Sequence, residues 1–351
     1  MHSISHTLKL IFRCLLTPGC ALPAIKLSAI LANIRQCRAL IYITLLWFSG
    51  HAIAAQNAFA KHSVLIAYHT SQEDSQPLLK KLQRNISKAG YEVHLKPLSA
   101  DTLHRFKPAK HALIIAIGSK VTETLLSENI QAPVFSILMP RYLVTQLRKR
   151  YPDKSNWSNL LIDQPIQRPL TLISSITDKH QKAGTLIGSY TMGLKETLEQ
   201  SASASGQALI IESVNNADQL TAGLKSLSRK VNILLTLPDP VIYNKKTIRG
   251  IILLTYRKKL PIIGFSQACV KAGAIAAVYS EPFQISRQTT EIIQRFFKNN
   301  EFDQLAYQPN DFSVALNRKV AHSLGINLPE KSLIINAIKR AEKNAMAEEN
   351  R

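Results

Sequence analysis

Cysteine is nearly missing from the body of this 351-residue chain: Cys14, Cys20 and Cys37 lie in the first 60 residues, and only Cys269 lies beyond them. A lone thiol cannot close an internal disulfide, so packing must hold the body together. Cys269 follows an apolar run and reads as a small core residue rather than a nucleophile. Acid is scarce as well, with 23 Asp and Glu against 44 Lys and Arg and a formal charge of +21. Within the first 60 residues there is no acid at all, against Lys9, Arg13, Lys26, Arg35 and Arg38. Such a balance favours anionic partners, with a plain solvated basic surface as the alternative. Two further lacks exclude chemistry. The ten histidines show no metal-ligand spacing, and the 13 glycines build no phosphate-cradling loop. Neither a metal nor another cofactor is therefore expected.

No apolar run reaches the roughly 20 residues that a membrane span needs. The best candidate, Ala39–Ala55 (ALIYITLLWFSGHAIAA), is shorter, follows Arg35 and Arg38, and ends in small residues. That is the pattern of a secretory leader, with an uncleaved anchor as the competing reading. We place a signal peptide over residues 35–60, preceded by a mildly apolar extension over 1–34. A translation start downstream of Met1 is expected. The remaining length suits two domains of moderate size, and 46% hydrophobic content is a globular value.

What is present is a repeated rhythm of short apolar runs and helical-period segments. Ser63–Ala67, Tyr91–Leu95, His111–Ile117, Pro133–Leu138 and Asn159–Ile162 read as strands, with helices over 75–90, from Gly118-Ser119 onward, and over 165–176. The pattern then restarts with strands at Gly184–Ser189, Ala208–Ile211, Val231–Leu237, Leu260–Phe265 and Ala274–Val278. Helices are expected at Thr191–Gln200, ending in a polar Ser201–Gly206 break, and at Ala217–Leu227. A long helix over Glu281–Phe297, a short strand at Phe312–Leu316 and a tail helix complete the chain. Strand–helix alternation predicts an α/β fold: two Rossmann-like lobes with parallel sheets. The borders are drawn at 61–180 with 276–305 for the first lobe and 181–275 with 306–330 for the second. Residues 331–351 form a docked helix with a frayed end.

In parallel sheets ligands sit beyond the carboxyl ends of the strands. Asp239, Tyr243, Phe265 and Ser266 fall there, as do Gly118 and Ser119 in the first half. Tyr68, His69, Tyr190 and Thr191 join them by topology alone. Ser119 at a helix start could hold an anion, or serve only as a cap. Asp239, held between Pro238 and Pro240, could pair with an ammonium or hydroxyl, or be turn chemistry. Phe265 and Tyr243 could stack on a planar ligand, or be core. An anion site facing a carboxylate suits a zwitterion, so an amino-acid-like ligand is expected.

Several strings together carry a resemblance: Leu237-Pro238-Asp239-Pro240 with Tyr243-Asn244, Pro261-Ile262-Ile263-Gly264-Phe265-Ser266, Lys271-Ala272-Gly273-Ala274, Phe312-Ser313-Val314 and Asp163-Gln164-Pro165. They resemble the substrate-binding proteins of ATP-binding-cassette (ABC) transporters, in the group that includes tryptophan- and tyrosine-binding members. The loop Gly188-Ser189-Tyr190-Thr191-Met192 differs from the Asn/Pro-rich loop such proteins often carry. The resemblance implies a class I periplasmic-binding fold with three hinge crossings and a periplasmic, monomeric protein. It would deliver a small molecule to a membrane permease, with no nucleic acid and no catalysis. A periplasmic sensor for a membrane signalling partner would need the same lobes. Gly264-Phe265-Ser266-Gln267-Ala268 also approximates a nucleophile elbow, which would make Ser266 a hydrolase nucleophile served by Asp303, Asp311 or His322.

Overall fold

The computed structural model describes residues 62–70, 76–98, 113–128, 130–177, 181–244 and 246–349. The leader, the first residue of the helix expected over 75–90, and the start of the expected third strand at His111 and Ala112 lie outside them. In chain order the elements are β1 (Ser63–His69), α1 (Gln76–Lys88), β2 (Glu92–Leu98), β3 (Leu113–Ile117), α2 (Ser119–Ser127), β4 (Val134–Met139), α3 (Arg141–Arg150) and β5 (Trp157–Leu161). Next come α4 (Gln167–Ile176), β6 (Ala183–Ile187), a 3-10 turn (Met192–Leu194), α5 (Lys195–Ala204), β7 (Leu209–Ser213), α6 (Ala217–Leu227), β8 (Ile233–Leu235) and α7 (Ile248–Arg257). The chain ends with β9 (Ile262–Gly264), α8 (Gln267–Ala272), β10 (Ala276–Tyr279), α9 (Pro282–Asn299), β11 (Ala306–Tyr307), β12 (Ser313–Leu316), α10 (Arg318–Ser323) and α11 (Lys331–Glu349).

These strands build two six-stranded sheets, ordered β11-β5-β4-β3-β1-β2 and β12-β10-β9-β8-β6-β7. Every pairing is parallel except that of β12 with β10. Strands such as β3 (LIIAI) are buried along their whole length because helices cover both faces. In the first lobe, α1 turns Leu78, Leu79, Leu82 and Ile86 onto one face of the sheet, where Ile292, Ile293 and Phe296 of α9 join them. On the other face Val121, Leu125, Val144, Leu147 and Trp157 pack together. The second lobe is layered likewise, with separate cores on its two faces.

The chain passes between the sheets three times: after β5, between β10 and α9, and between β11 and β12. Each passage is displaced from the border drawn on the sequence. Helix α4 already belongs to the second lobe, since Leu170, Leu172 and Ile173 pack with Ile334 and Ile338 of α11. Strand β10 pairs with β9 and so stays in the second sheet, whereas β11 pairs with β5 and stays in the first. Ladder hydrogen bonds decide which sheet a strand joins, and an apolar pattern does not reveal its partner. The polar break expected at Ser201–Gly206 is also shifted. Helix α5 continues to Ala204 because Leu198 and Ala202 keep facing the core, and Gly206 (φ 65°) turns the chain out.

One buried arginine gathers the passages. Arg168, 3% exposed, donates from Nη1 to Gln164 Oε1 (2.8 Å) in the first passage and from Nη2 to the Asn310 carbonyl (2.9 Å) in the third. Its Nε meets Glu342 of α11 at 2.6 Å, and its guanidinium lies 4.7 Å from the Phe312 ring centroid. Gln164 Nε2 donates in turn to Ser280 Oγ (2.9 Å) in the second passage, and that hydroxyl donates to the Asp311 carbonyl (2.9 Å). A buried guanidinium needs this many acceptors, because an unpaired charge away from water is costly.

Candidate functional site

The two lobes meet at the carboxyl ends of their strands. The Tyr142 ring, just after β4, packs edge-on against Tyr190, just after β6, with centroids 4.7 Å apart. Beside this contact is a cavity of about 360 Å³, within the range of small-ligand sites. The first lobe lines it with Arg141, Tyr142, Lys149 and Asp163, and the second with Ser189, Tyr190, Thr191 and Pro238.

Asp163 follows β5 and reaches across to cap α3. Arg141 N–H donates to its Oδ2 at 2.7 Å. The residue in the cap position of that helix is Pro140, which has no side-chain acceptor, so a carboxylate from the neighbouring strand end takes the role. Burial pushes the Asp163 carboxyl above the ordinary carboxylate range, and the Arg141 N–H and its charge only partly offset this. Tyr142 is likewise raised, first by burial and then by Tyr190, Asp239 and Asp163. Arg141 and Lys149 enter no ion pair among the described residues. The cavity therefore offers one carboxylate with a single described hydrogen bond, two cations outside any described ion pair and two phenol rings.

Asp239, at the end of the run containing β8, is placed differently. It is 1% exposed. Its Oδ2 accepts from Gly188 N–H (3.1 Å), Thr191 N–H (3.1 Å) and the Thr191 hydroxyl (2.7 Å), and its Oδ1 accepts from Val241 N–H (2.9 Å). A Cβ on Gly188 would stand 2.7 Å from that Oδ2, so only glycine admits the approach. The carboxylate thus pins the Gly188–Thr191 loop to the β8 end instead of facing the cavity.

Of the ten residues expected on sequence grounds, Tyr190 and Thr191 line this cavity. Thr191 contributes mainly through its tie to Asp239, at 2% exposure. Gly118 occupies the cap position of α2 with φ 83°, which places Ser119 one residue inside the helix rather than at its cap. Tyr68 and His69 end β1. Tyr243 and Phe265 pack against each other, 6.0 Å between centroids, and the Tyr243 oxygen is buried without a hydrogen-bond partner among the described residues. Burial pushes that phenol upward, helped by Cys269 and Asp239. Ser266 caps α8: its oxygen accepts from Cys269 N–H at 3.2 Å, and its hydroxyl donates to Cys269 Sγ at 3.2 Å. Asp303 and Asp311 pair with Arg295 and Arg287, in keeping with structural roles. Sequence reasoning missed Arg141, Tyr142 and Asp163 as cavity residues. The available signal was position: Asp163 follows an apolar strand just as Asp239 does.

No curated protein matches the chain. Among solved structures, a conserved domain protein from Vibrio cholerae aligns at 19% identity and a TM-score of 0.57 over 79% of this chain and 98% of its own. An ABC domain from Streptococcus pneumoniae in complex with L-Trp aligns at 18% identity and 0.57, over 78% and 98%. The ligand-free, open form of a substrate-binding protein with adhesive properties from Clostridium difficile aligns at 15% and 0.61, over 77% and 96%. At these identities the likeness concerns the fold, which is that of class I periplasmic-binding proteins. The family model for ABC transporter substrate binding proteins matches residues 80–340, most of both lobes, and the chain belongs to that family.

Proposed function

We propose that this protein captures an amino-acid-like solute between its lobes, closes on it by motion about the three passages, and delivers it outside the cytoplasm to an ABC permease. The observation that carries this reading is the cavity lined from both lobes, with Asp163, Arg141 and Lys149 around the Tyr142–Tyr190 pair. A solute ammonium would neutralise the Asp163 carboxylate that burial disfavours, and the Arg141 guanidinium suits a carboxylate. The phenol rings give a flat apolar wall for a side chain. The L-Trp in the Streptococcus pneumoniae structure is the same class of ligand, a zwitterion with a planar group.

Closure needs a ligand that contacts both walls at once, since only a differential affinity shifts an open–closed equilibrium. Thermal-shift screening of the purified protein against the amino acids is the test. A ligand at about a hundred times its Kd adds about 2.7 kcal/mol and raises the melting temperature by several degrees. Titration calorimetry should then give a single site that Asp163→Asn weakens. A flat response across the whole panel sinks the amino-acid reading.

A further inference from the structure

Residues 240–280 contain seven Lys and Arg and no Asp or Glu. On the sequence Lys245-Lys246 and Arg257-Lys258-Lys259 read as ordinary solvated helix faces. The structure gathers Arg249, Arg257 and Lys258 around α7 together with two bare apolar side chains, Leu253 (50% exposed) and Tyr256 (51% exposed). Helix α7 buries only Ile251 and Thr255 fully, so its outer side stands proud of the second lobe.

A groove runs along each side. The one toward α6, about 560 Å³, has Leu220, Leu224 and Ile251 in its floor and Lys225, Lys246 and Lys258 at its edge. The other, about 480 Å³, lies toward Ala272 and is edged by Arg249. No acidic residue lines either groove. Leu253 borders both, which makes α7 a convex ridge. Lys259 and Lys271 are exposed nearby. None of these cations is engaged in an ion pair among the described residues.

We propose that the α7 ridge is a docking surface for an anionic lipid bilayer, with Leu253 and Tyr256 entering the headgroup boundary and the flanking cations pairing with lipid phosphates. Charge complementarity favours an anionic partner, because no acidic residue is among those lining the two grooves and none occurs over residues 240–280. Shape favours a bilayer over an acidic protein. A protein that buried this ridge would need a matching furrow, whereas a fluid headgroup layer conforms to any convex outline. Tyrosine suits the water–lipid boundary, and each basic side chain near an anionic leaflet adds attraction. Helix α7 has 10 residues, about half of what a span needs, so a contact made through it is peripheral. This surface lies on the outer side of the second lobe and does not depend on which solute the cleft takes.

The test is co-sedimentation of the full chain with vesicles of phosphatidylcholine, alone or mixed with phosphatidylglycerol. Comparing variants in the full chain leaves any contribution of the leader common to all samples. Arg257→Glu/Lys258→Glu/Lys259→Glu should weaken binding to the mixed vesicles by about tenfold or more, with no change on the neutral ones. High salt should reproduce that loss in the unmodified chain. Leu253→Ser/Tyr256→Ser should weaken binding to the mixed vesicles while leaving the charge intact. Leu253→Trp should show a blue-shifted emission with mixed vesicles only, after subtraction of the unmodified protein. Charge reversal on the first lobe, Lys81→Glu/Arg84→Glu/Lys88→Glu, serves as the control. An equal loss from that control, an unshifted Leu253→Trp spectrum, or undiminished binding by the α7 variants overturns the proposal.

Discussion

Each lobe sets an aspartate at the end of an apolar strand beside the cleft, and the two have opposite fates. Asp239 accepts four hydrogen bonds and is 1% exposed. Asp163 accepts one described hydrogen bond, from Arg141 N–H, and lines the cavity. The residue type is identical and both lie just past the carboxyl end of a strand, Asp163 after β5 and Asp239 after β8. What separates them is the number of donors within reach, which decides whether a carboxylate is structural or left with capacity for a ligand.

The largest expected effect is on Asp239→Ala. It strands two backbone N–H groups of the loop, the Thr191 hydroxyl and Val241 N–H, and should cost about 3–5 kcal/mol, read as a lower denaturant midpoint. If Asp163→Ala costs as much in the absence of ligand, the contrast between the two sites fails. Gly188→Ala tests the same clasp from the other side. Its Cβ would press on the Asp239 carboxylate, for a loss of about 2 kcal/mol. Thr191→Val removes one hydroxyl donor and should cost about 1–2 kcal/mol in urea unfolding.

Asp163→Asn should change the stability of the ligand-free protein least, by about 1 kcal/mol or less, yet alter its pH profile. Because burial raises the folded-state pKa of Asp163, the folded protein binds the proton more tightly than the unfolded chain does. The ligand-free protein therefore loses stability as pH rises from the ordinary aspartate range through the raised value, and Asp163→Asn lacks that slope. A cationic solute should bind more tightly over the same window, as the carboxylate forms. Melting curves taken between acid and neutral pH, with and without ligand, read both effects.

Much of this architecture was legible beforehand. Buried strands such as Ile114–Ile117 and the stop at Gly90 are local signals, and so is the Ser266 cap of α8. The two-lobe rhythm followed from them. The course of the passages was not legible, because β11 is only two residues long and joins the first sheet through a pairing with β5 from far earlier in the chain. At the cleft, the strand-end rule singled out Asp239 as a ligand contact, and the structure gives its carboxylate four donors from the protein. Three of those donors come from Gly188 and Thr191, about fifty residues earlier, which no local pattern displays. Asp163 was visible within Asp163-Gln164-Pro165, yet its tie to Arg141 is again long-range. Tyr142 had no periodic signal, since its place against Tyr190 depends on how two separate lobes meet.

The triple passage has a consequence for how the chain is made. Helix α9 supplies Ile292, Ile293 and Phe296 to the first lobe's core, and β11 closes its sheet, so the lobe begun first stays incomplete until Tyr307 has been synthesised. The second lobe waits longer still, for Ile334 and Ile338 of the last helix. Neither half is therefore complete when its opening stretch of strands and helices has been made, unlike consecutive domains, which commonly fold as units in order of synthesis. A nascent chain halted before β11 would expose two unfinished interiors, whereas one halted between Tyr307 and α11 would leave only the second lobe's core open.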